Sequence, residues 1–169
     1  TCSIGTTSGG INNSGTFNRT GTGSTTTPLV RFINTGIVNL GGSGAITGIT
    51  NNAGGVVNLT NSGTITAFNN ATSTSVLNID DLSVPTITTL TATAAGNTVN
   101  YNGSGNQAVR ATTYSNLVFS GSGDKTISTG TSITGDLSIA PTGTAKANVT
   151  NGLTINAGTL TIGNEGAIN

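Results

Sequence analysis

The chain has 169 residues, and 99 of them are Thr, Gly, Asn or Ser. It has no His, Met or Trp, a single Cys, and five acidic and five basic residues, which give a formal net charge of zero. This composition excludes most enzyme classes, and the lack of a basic patch argues against binding to nucleic acids or anionic membranes. The longest run of large apolar residues, at 117–119, is far shorter than the roughly 20 residues that cross a bilayer.

Residue types that favour strands dominate the chain. Val, Ile, Thr, Phe and Tyr fill 66 positions, whereas Ala, Leu, Glu, Lys, Arg and Gln fill 31. The β-branched and aromatic side chains fit a pleated sheet, and good helix formers are scarce. Disorder is the competing interpretation of so much Gly, Ser and Asn, but 39 Leu, Ile, Val and Phe residues and the zero net charge argue against it. We therefore expect an all-β protein.

The N-terminal segment, residues 1–10, is predicted to be flexible, and Ile4 is its one large apolar residue. Cys2 has no partner for an internal disulfide, so its thiol is free, modified or engaged in an intermolecular link. Because no Met occurs and no leader precedes Thr1, the sequence is interpreted as a processed product or an excised segment of a secreted chain.

Residues 11–84 contain a repeat in which an apolar residue precedes Asn-x-Gly and further apolar residues follow. Four copies occur between positions 11 and 65, and one more occurs at 155–160. Asn and Gly accept the backbone conformations of tight corners, so each copy is interpreted as a strand, a corner and a second strand. The predicted structural corners are Asn13, Gly15, Asn34, Gly36, Asn52, Gly54, Asn61, Gly63, Asn156 and Gly158.

Residues 85–97, which contain Pro85 and lack Asn-x-Gly, are a candidate junction between two halves. In the second half, residues 98–169, apolar residues alternate with small polar ones, as in strands with one buried face. The alternating pairs are Val99 and Tyr101, Leu117 and Phe119, Leu137 and Ile139, Leu153 and Ile155, and Leu160 and Ile162.

Each of these units is too short to bury its own apolar face, so the units must stack. We expect a parallel β-helix, or β-solenoid, with irregular coils of about 16–21 residues. Stacked corner asparagines would hydrogen-bond from coil to coil, although a simple turn preference accounts for the Asn residues equally well. A β-sandwich is the alternative fold, but sandwich interiors need bulky side chains and this chain has six aromatic residues.

The chain offers little catalytic chemistry. Asp80 and Asp81 form the one acidic cluster and are the candidate calcium site, although adjacent residues on a strand point to opposite faces. No His is present to activate a nucleophile, and no second Cys is present to build a zinc site. The sequence therefore predicts a protein with no catalytic residues and no cofactor, and not an enzyme.

Two strings carry a resemblance to known proteins: ITNNAGGVVNLTNSGTIT at 49–66 and NTVNYNGSGNQAVRATTYSNLVFSGSGDKTI at 97–127. They resemble segments of large secreted bacterial surface proteins of the adhesin, haemagglutinin-repeat and autotransporter-passenger type. Nearly the whole chain shares this texture, although such proteins are usually far longer. The resemblance implies a parallel β-helix, export to the cell surface, and adhesion or matrix building.

The expected function is that of a non-catalytic extracellular structural protein, a self-associating subunit or segment of a bacterial surface fibre or matrix. Its expected partners are copies of itself, because a protein without net charge lacks the repulsion that keeps molecules apart. Neither nucleic-acid binding nor membrane insertion is expected. The alternative is a monomeric adhesin segment that binds a glycan or a host surface. Ice binding is a further alternative suggested by the many Thr-x-Thr triplets, but their starting positions share no common period.

Overall fold

The computed structural model describes residues 10–21, 32–60, 63–80, 86–140, 146–149, 153–156, 158–163 and 168. Nineteen strands and no helix occur among these residues, and each strand pairing is parallel. The predicted all-β solenoid is confirmed, and the sandwich alternative is wrong because sandwich sheets are antiparallel. The predicted flexible segment, apart from Gly10, lies outside the described residues, as does Cys2.

In chain order the strands are β1 (Ile11–Asn13), β2 (Thr16–Arg19), β3 (Phe32–Asn34), β4 (Ile37–Leu40), β5 (Ile46–Asn51), β6 (Val56–Leu59), β7 (Thr64–Asn70), β8 (Val76–Ile79), β9 (Thr86–Thr91), β10 (Thr98–Tyr101), β11 (Gln107–Val109), β12 (Thr113–Tyr114), β13 (Asn116–Phe119), β14 (Lys125–Ile127), β15 (Ser132–Ile133), β16 (Leu137–Ile139), β17 (Ala147–Val149), β18 (Thr154–Ile155) and β19 (Leu160–Ile162).

The strands form four sheets that wrap around one core. An eight-stranded sheet contains β2, β4, β6, β8, β10, β13, β16 and β19, and a five-stranded sheet contains β1, β3, β5, β7 and β9. Two three-stranded sheets contain β11, β14 and β17, and β12, β15 and β18. The chain returns to the eight-stranded sheet once per coil. The coil length is the sequence separation of residues paired on neighbouring strands of this sheet. It is shortest between Val99 and Leu117 and longest between Leu137 and Leu160.

The core consists of columns of apolar side chains that run along the solenoid axis. Parallel in-register pairing places equivalent residues one strand spacing, about 4.8 Å, apart, so the period-two pattern of the sequence becomes continuous columns. One column contains Val38, Val57, Leu77, Val99, Leu117 and Leu137, all fully buried. The column two residues further along each strand contains Leu40, Leu59, Ile79, Tyr101, Phe119 and Ile139.

The five-stranded sheet departs from strict alternation. In β5, β7 and β9 the buried apolar residues are three positions apart, as in Ile65 and Phe68, and two consecutive residues between them face outward. A strand can place two neighbouring residues on the same side only if it bends between them. Each coil therefore turns a corner within these strands, without a loop.

At the candidate junction, residues 85–97, the cross-section of the solenoid changes, while strand pairing continues on both sides of the region. β9 pairs with β7, and β10 continues the eight-stranded sheet between β8 and β13. Ala92 forms a parallel bridge with Tyr114 of β12, so the five-stranded sheet is continued by the sheet that begins at β12. Before this region the coils have two sheets, and after it they have three, because β11 begins a new sheet. Pro85 lies outside the described residues.

Candidate functional site: asparagine ladders, an outer groove and the two ends

A ladder of buried asparagines runs through the corner between the two sheets of the first half, and we name Asn13, Asn34, Asn51 and Asn70 the inner ladder. The Nδ2 atom of each residue donates to the Oδ1 atom of the next, at 2.8 Å from Asn13 to Asn34, 2.9 Å from Asn34 to Asn51 and 3.0 Å from Asn51 to Asn70. The last three side chains are fully buried. Such an amide chain joins one coil to the next in a way that fixes their register.

Each inner-ladder amide also bonds to the backbone of two coils. Asn51 Nδ2 donates to the carbonyl of Gly55 in its own corner and to the carbonyl of Val76 in the next coil, both at 2.9 Å. Asn13, Asn34 and Asn70 repeat this arrangement with the equivalent carbonyls. Position 55 must be Gly because a Cβ atom there would overlap Asn51 Oδ1. The corner is thus built from the amide and the glycine together.

The predicted corner residues are distributed unevenly over this structure. Asn13 and Asn34 are inner-ladder members, and Gly15 and Gly36 supply their corner carbonyls. The third copy is shifted by one residue, because the ladder member is Asn51 whereas Asn52 lies beside it in the turn that contains Gly54 at φ 75°. Gly63 is buried, and Asn61 lies outside the described residues.

The copy near the C terminus has a different environment. Asn156 is exposed, and its Nδ2 atom donates to Ser132 Oγ at 3.2 Å. Gly158 packs so closely on the backbone of Gly135 that a Cβ atom could not be accommodated without a shift. The structure therefore does not bring Asn156 into the inner ladder.

A second ladder on the outer face of the eight-stranded sheet was not predicted. We name Asn18, Asn39, Asn58, Asn78 and Asn100 the outer ladder; each donates from Nδ2 to the Oδ1 atom of the preceding member, at 2.7 to 3.3 Å. Its donors point toward the N-terminal end, whereas those of the inner ladder point toward the C-terminal end. The sequence signal for it is a recurring apolar-Asn-apolar triplet, as in Val57-Asn58-Leu59 and Leu77-Asn78-Ile79.

In the second half, side-chain oxygens cap the backbone of the following coil. Asn106 Oδ1 accepts from the backbone N–H of Asp124, and Asp124 Oδ1 accepts from that of Lys146. Asn116 Oδ1 accepts from the N–H of Asp136, and Asp136 Oδ1 accepts from that of Thr159. Two of the acidic residues are therefore used to hold neighbouring coils in register.

Lys125 is a buried cation held by backbone carbonyls. Its side chain is 1% exposed, and its Nζ atom donates to the carbonyls of Gly103 at 2.9 Å and of Gly105 and Ser122 at 3.2 Å. Burial lowers the pKa of the ammonium group, and the negative charges of Asp124 and Asp80 oppose that shift. The amine thus satisfies carbonyls that face inward at the corner.

The candidate calcium site, Asp80 with Asp81, lies only partly within the described residues. Asp80 is exposed at the end of β8, and Asp81 lies outside the described residues. Within the described part of the chain, no three residues of the types His, Cys, Asp and Glu are grouped so that they could hold a metal ion.

A pair of buried tyrosines lies where the cross-section changes. The hydroxyl groups of Tyr101 and Tyr114 are 3.1 Å apart, Tyr101 Oη accepts from the N–H of Arg110, and Tyr114 Oη donates to the carbonyl of Arg110. Burial raises the pKa of both phenols. This pair ties the first three-sheet coil to the eight-stranded sheet.

A shallow groove crosses the outer face of β5, β7 and β9 where these strands bend, and we name it the outer groove. Its volume is about 180 Å³. The lining residues are Phe32, Gly48, Ile49, Thr50, Ala67, Phe68, Asn69, Thr89 and Thr91. Small residues in the middle strands open the groove, hydroxyl and amide groups line its walls, and none of the lining residues is charged.

The two ends of the solenoid differ in charge and in exposure. At the N-terminal end, Arg19 of β2 occupies a core column, and its Nη2 atom donates to the carbonyls of Gly42 at 2.5 Å and Gly44 at 2.8 Å. At the C-terminal end, Leu160 and Ile162 of β19 continue core columns but are 44% and 48% exposed. Among the described residues, a folded-back cation therefore lies at the first end, and exposed apolar side chains lie at the second.

Comparison with known proteins gave no match. No protein-family model matches the chain, and no curated protein or solved structure matches it significantly. The resemblance to bacterial surface proteins therefore stays a prediction. The described residues contain no helix with the length and hydropathy needed to cross a membrane.

Proposed function

We propose that this chain is a non-catalytic extracellular structural protein, a self-associating subunit or segment of a bacterial surface fibre or matrix. The observation that carries the proposal is the set of side-chain hydrogen bonds that join neighbouring coils along the solenoid. Its partners are copies of itself, and its role requires no cofactor, nucleic acid or membrane insertion. The proposed location is the cell surface.

The construction of the coils supports a mechanical role. Amide ladders join neighbouring coils in the first half and side-chain caps join them in the second, so the register is fixed along the solenoid. Resistance to sliding between coils is the property that a rod under load requires. Asp124 and Asp136 accept backbone hydrogen bonds within this framework, which favours a structural role for these carboxylates.

Electron microscopy of the purified chain tests this proposal. We expect assemblies longer than one solenoid, with a layer line near the strand spacing of about 4.8 Å. Isolated single rods at every protein concentration would contradict self-association.

The outer groove favours a second candidate function, that of a monomeric adhesin segment that binds a neutral glycan. Its walls offer hydroxyl and amide groups from Thr50, Asn69, Thr89 and Thr91. Neutral sugars present hydroxyl groups that such donors and acceptors can bind.

Calorimetric titration with neutral oligosaccharides tests the second candidate. We expect Asn69→Ala to weaken any binding at least tenfold, whereas Asn58→Ala, on the other sheet, leaves it unchanged. Equal effects of the two variants would remove the groove as the site.

A further inference from the structure

We propose that the Gly-Ser-Gly corners of this solenoid are binding sites for small cations, and that the corner at 103–105 binds a free alkylammonium ion once its own lysine is removed. The resident cation of that corner is the ammonium group of Lys125. A second corner, at 42–44, holds the guanidinium group of Arg19. The inference goes beyond the proposed function, because it concerns a single copy of the chain and does not depend on self-association.

Three corners share the sequence Gly-Ser-Gly and the same place in the coil. Each follows a strand of the eight-stranded sheet: residues 42–44 follow β4, residues 103–105 follow β10, and residues 121–123 follow β13. In the first two corners the first glycine is buried and the serine is exposed. Because glycine has no side chain to fill the inner side of the corner, a cation from a neighbouring coil has access to the backbone carbonyl groups.

The contacts of Lys125 are those of a bound cation. Its Nζ atom donates to three carbonyl oxygens, those of Gly103 at 2.9 Å and of Gly105 and Ser122 at 3.2 Å, and its side chain is 1% exposed. A protonated amine has three N–H donors, so three carbonyl acceptors match the charged form. Buried carbonyl groups that lose such a donor are left unsatisfied, which is costly. The corner therefore requires a donor at this position.

The corner at 42–44 binds a different cation from the opposite direction. Arg19 lies one coil before this corner, and its Nη2 atom donates to the carbonyls of the first and third residues, Gly42 at 2.5 Å and Gly44 at 2.8 Å. Lys125 lies one coil after its own corner and donates to the carbonyls of the same two positions. Because two unrelated cations use the same pair of carbonyls, we infer that the backbone of the corner creates the site.

Two carboxylates add electrostatic attraction at the 103–105 corner. Burial lowers the pKa of the Lys125 ammonium group, and the negative charges of Asp124 and Asp80 oppose that shift. Asp124 is held in place without the lysine side chain, because its two oxygens accept from the backbone N–H of Lys146 and from Asn148 Nδ2. A free cation would therefore be attracted to the corner after the lysine side chain is removed.

Chemical rescue of Lys125→Ala tests the site. The substitution removes the ammonium group and the chain of methylene groups that leads to it, and Gly105 and Ser122 are only half-buried, so a small ion can enter from solvent. We expect methylammonium chloride to stabilise this variant against urea. A ligand that binds only the folded chain lowers the unfolding equilibrium constant about tenfold when present at about ten times its dissociation constant. If Lys125→Ala is unfolded in buffer, methylammonium should restore the circular dichroism spectrum of the folded chain.

Three controls separate site binding from general salt effects. Tetramethylammonium chloride at the same ionic strength carries the charge without an N–H donor and should not rescue Lys125→Ala. Lys146→Ala removes a half-buried lysine from the neighbouring coil and should respond equally to the two salts. Lys125→Met keeps an unbranched, uncharged side chain in the space and should be destabilised without being rescued. Equal stabilisation of Lys125→Met and Lys125→Ala by methylammonium would overturn the proposal.

The backbone carbonyl ¹³C resonances report where the ion binds. In Lys125→Ala we expect those of Gly103 and Gly105 to shift with methylammonium concentration, whereas those of Gly42 and Gly44, where Arg19 remains, stay unchanged. Rescue without these shifts would place the ion elsewhere and would overturn the proposed site. A variant that methylammonium neither stabilises nor refolds would show that the corner accepts only the tethered lysine, which also contradicts the proposal. Either failure would leave the self-association of the unsubstituted chain, as seen by electron microscopy, unaffected.

Discussion

The two halves of the solenoid fill the same column with opposite chemistry. In the first half the column is the inner ladder, with Asn34, Asn51 and Asn70 fully buried and bonded from coil to coil. The column continues through Ala92, Tyr114 and Ile133, which are equally buried, to Ile155, which is partly buried. A parallel solenoid thus tolerates both polar and apolar residues in one column. Where the two kinds meet, at Asn70 and Ala92, the Nδ2 atom of Asn70 donates to the carbonyls of Ser75 and Thr98.

The difference has an energetic basis. A buried amide is stable only while its hydrogen-bond partners are present, because an unsatisfied buried polar group costs about 1–3 kcal/mol. An apolar residue in the other half makes no such demand and is stabilised by removal of its surface from water. Exchanging the two kinds of residue between the halves should therefore be costly in both directions.

The largest expected effect is that of placing an amide in the apolar part of the column. Ile133→Asn removes a fully buried side chain and buries an amide between Tyr114 and Ile155. We expect a loss of about 4 kcal/mol in the free energy of unfolding, measured by chemical denaturation. Ile133→Val is the control, with an expected loss of about 1 kcal/mol. Equal losses in the two variants would show that the column does not discriminate by polarity.

The reciprocal change breaks the ladder in the first half. Asn51→Ala leaves Asn70 Oδ1 and the carbonyls of Gly55 and Val76 without this donor. We expect a loss of about 3 kcal/mol in the free energy of unfolding. Thr50→Ala, on the outward side of the same strand, should change it by less than about 0.5 kcal/mol. A loss below 1 kcal/mol for Asn51→Ala would contradict a stabilising ladder.

The tyrosine pair predicts an alkaline transition in the three-sheet half. Because burial raises the phenol pKa values in the folded state, Tyr101 and Tyr114 keep their protons at pH values where the unfolded chain loses them. Their contribution to stability is therefore complete below about pH 10, the ordinary tyrosine value, and decreases as the pH rises above it. Tyr101→Phe/Tyr114→Phe should reduce this decrease in unfolding experiments from pH 8 to 11. An unchanged pH profile would contradict the assignment.

The smallest expected effect is in the outer ladder. Asn78 is half-buried, and Asn78→Ala removes its hydrogen bonds to Asn58 at 2.8 Å and from Asn100 at 3.3 Å, while water replaces part of the lost bonding. We expect a loss of about 0.5 kcal/mol in the free energy of unfolding. A loss as large as that of Asn51→Ala would show that burial does not distinguish the two ladders.

Much of this fold could be predicted from the sequence, because strands with one buried face leave a period-two pattern. Val99 with Tyr101 and Leu137 with Ile139 lie in the core columns. The bend within β5, β7 and β9 could not be predicted in that way, since buried residues three positions apart break the period.

The site was less predictable than the fold. In the string Asn51-Asn52-Ala53-Gly54-Gly55, only Asn52 fits the Asn-x-Gly pattern, whereas the register with Asn34 and Asn70 shows that Asn51 is the ladder member. Asn70 was missed because Ser75 stands where the other corners have glycine. The Tyr101–Tyr114 contact joins residues thirteen positions apart that no local pattern relates.

Residue-resolved hydrogen exchange at low and high protein concentration tests the account most directly, because it reports on both halves and both ends in one experiment. We predict strong protection of β4, β6 and β8 at both concentrations, and protection that increases at high concentration in the segments that contact a second copy. The same protection at both concentrations throughout the chain would contradict a self-associating structural subunit.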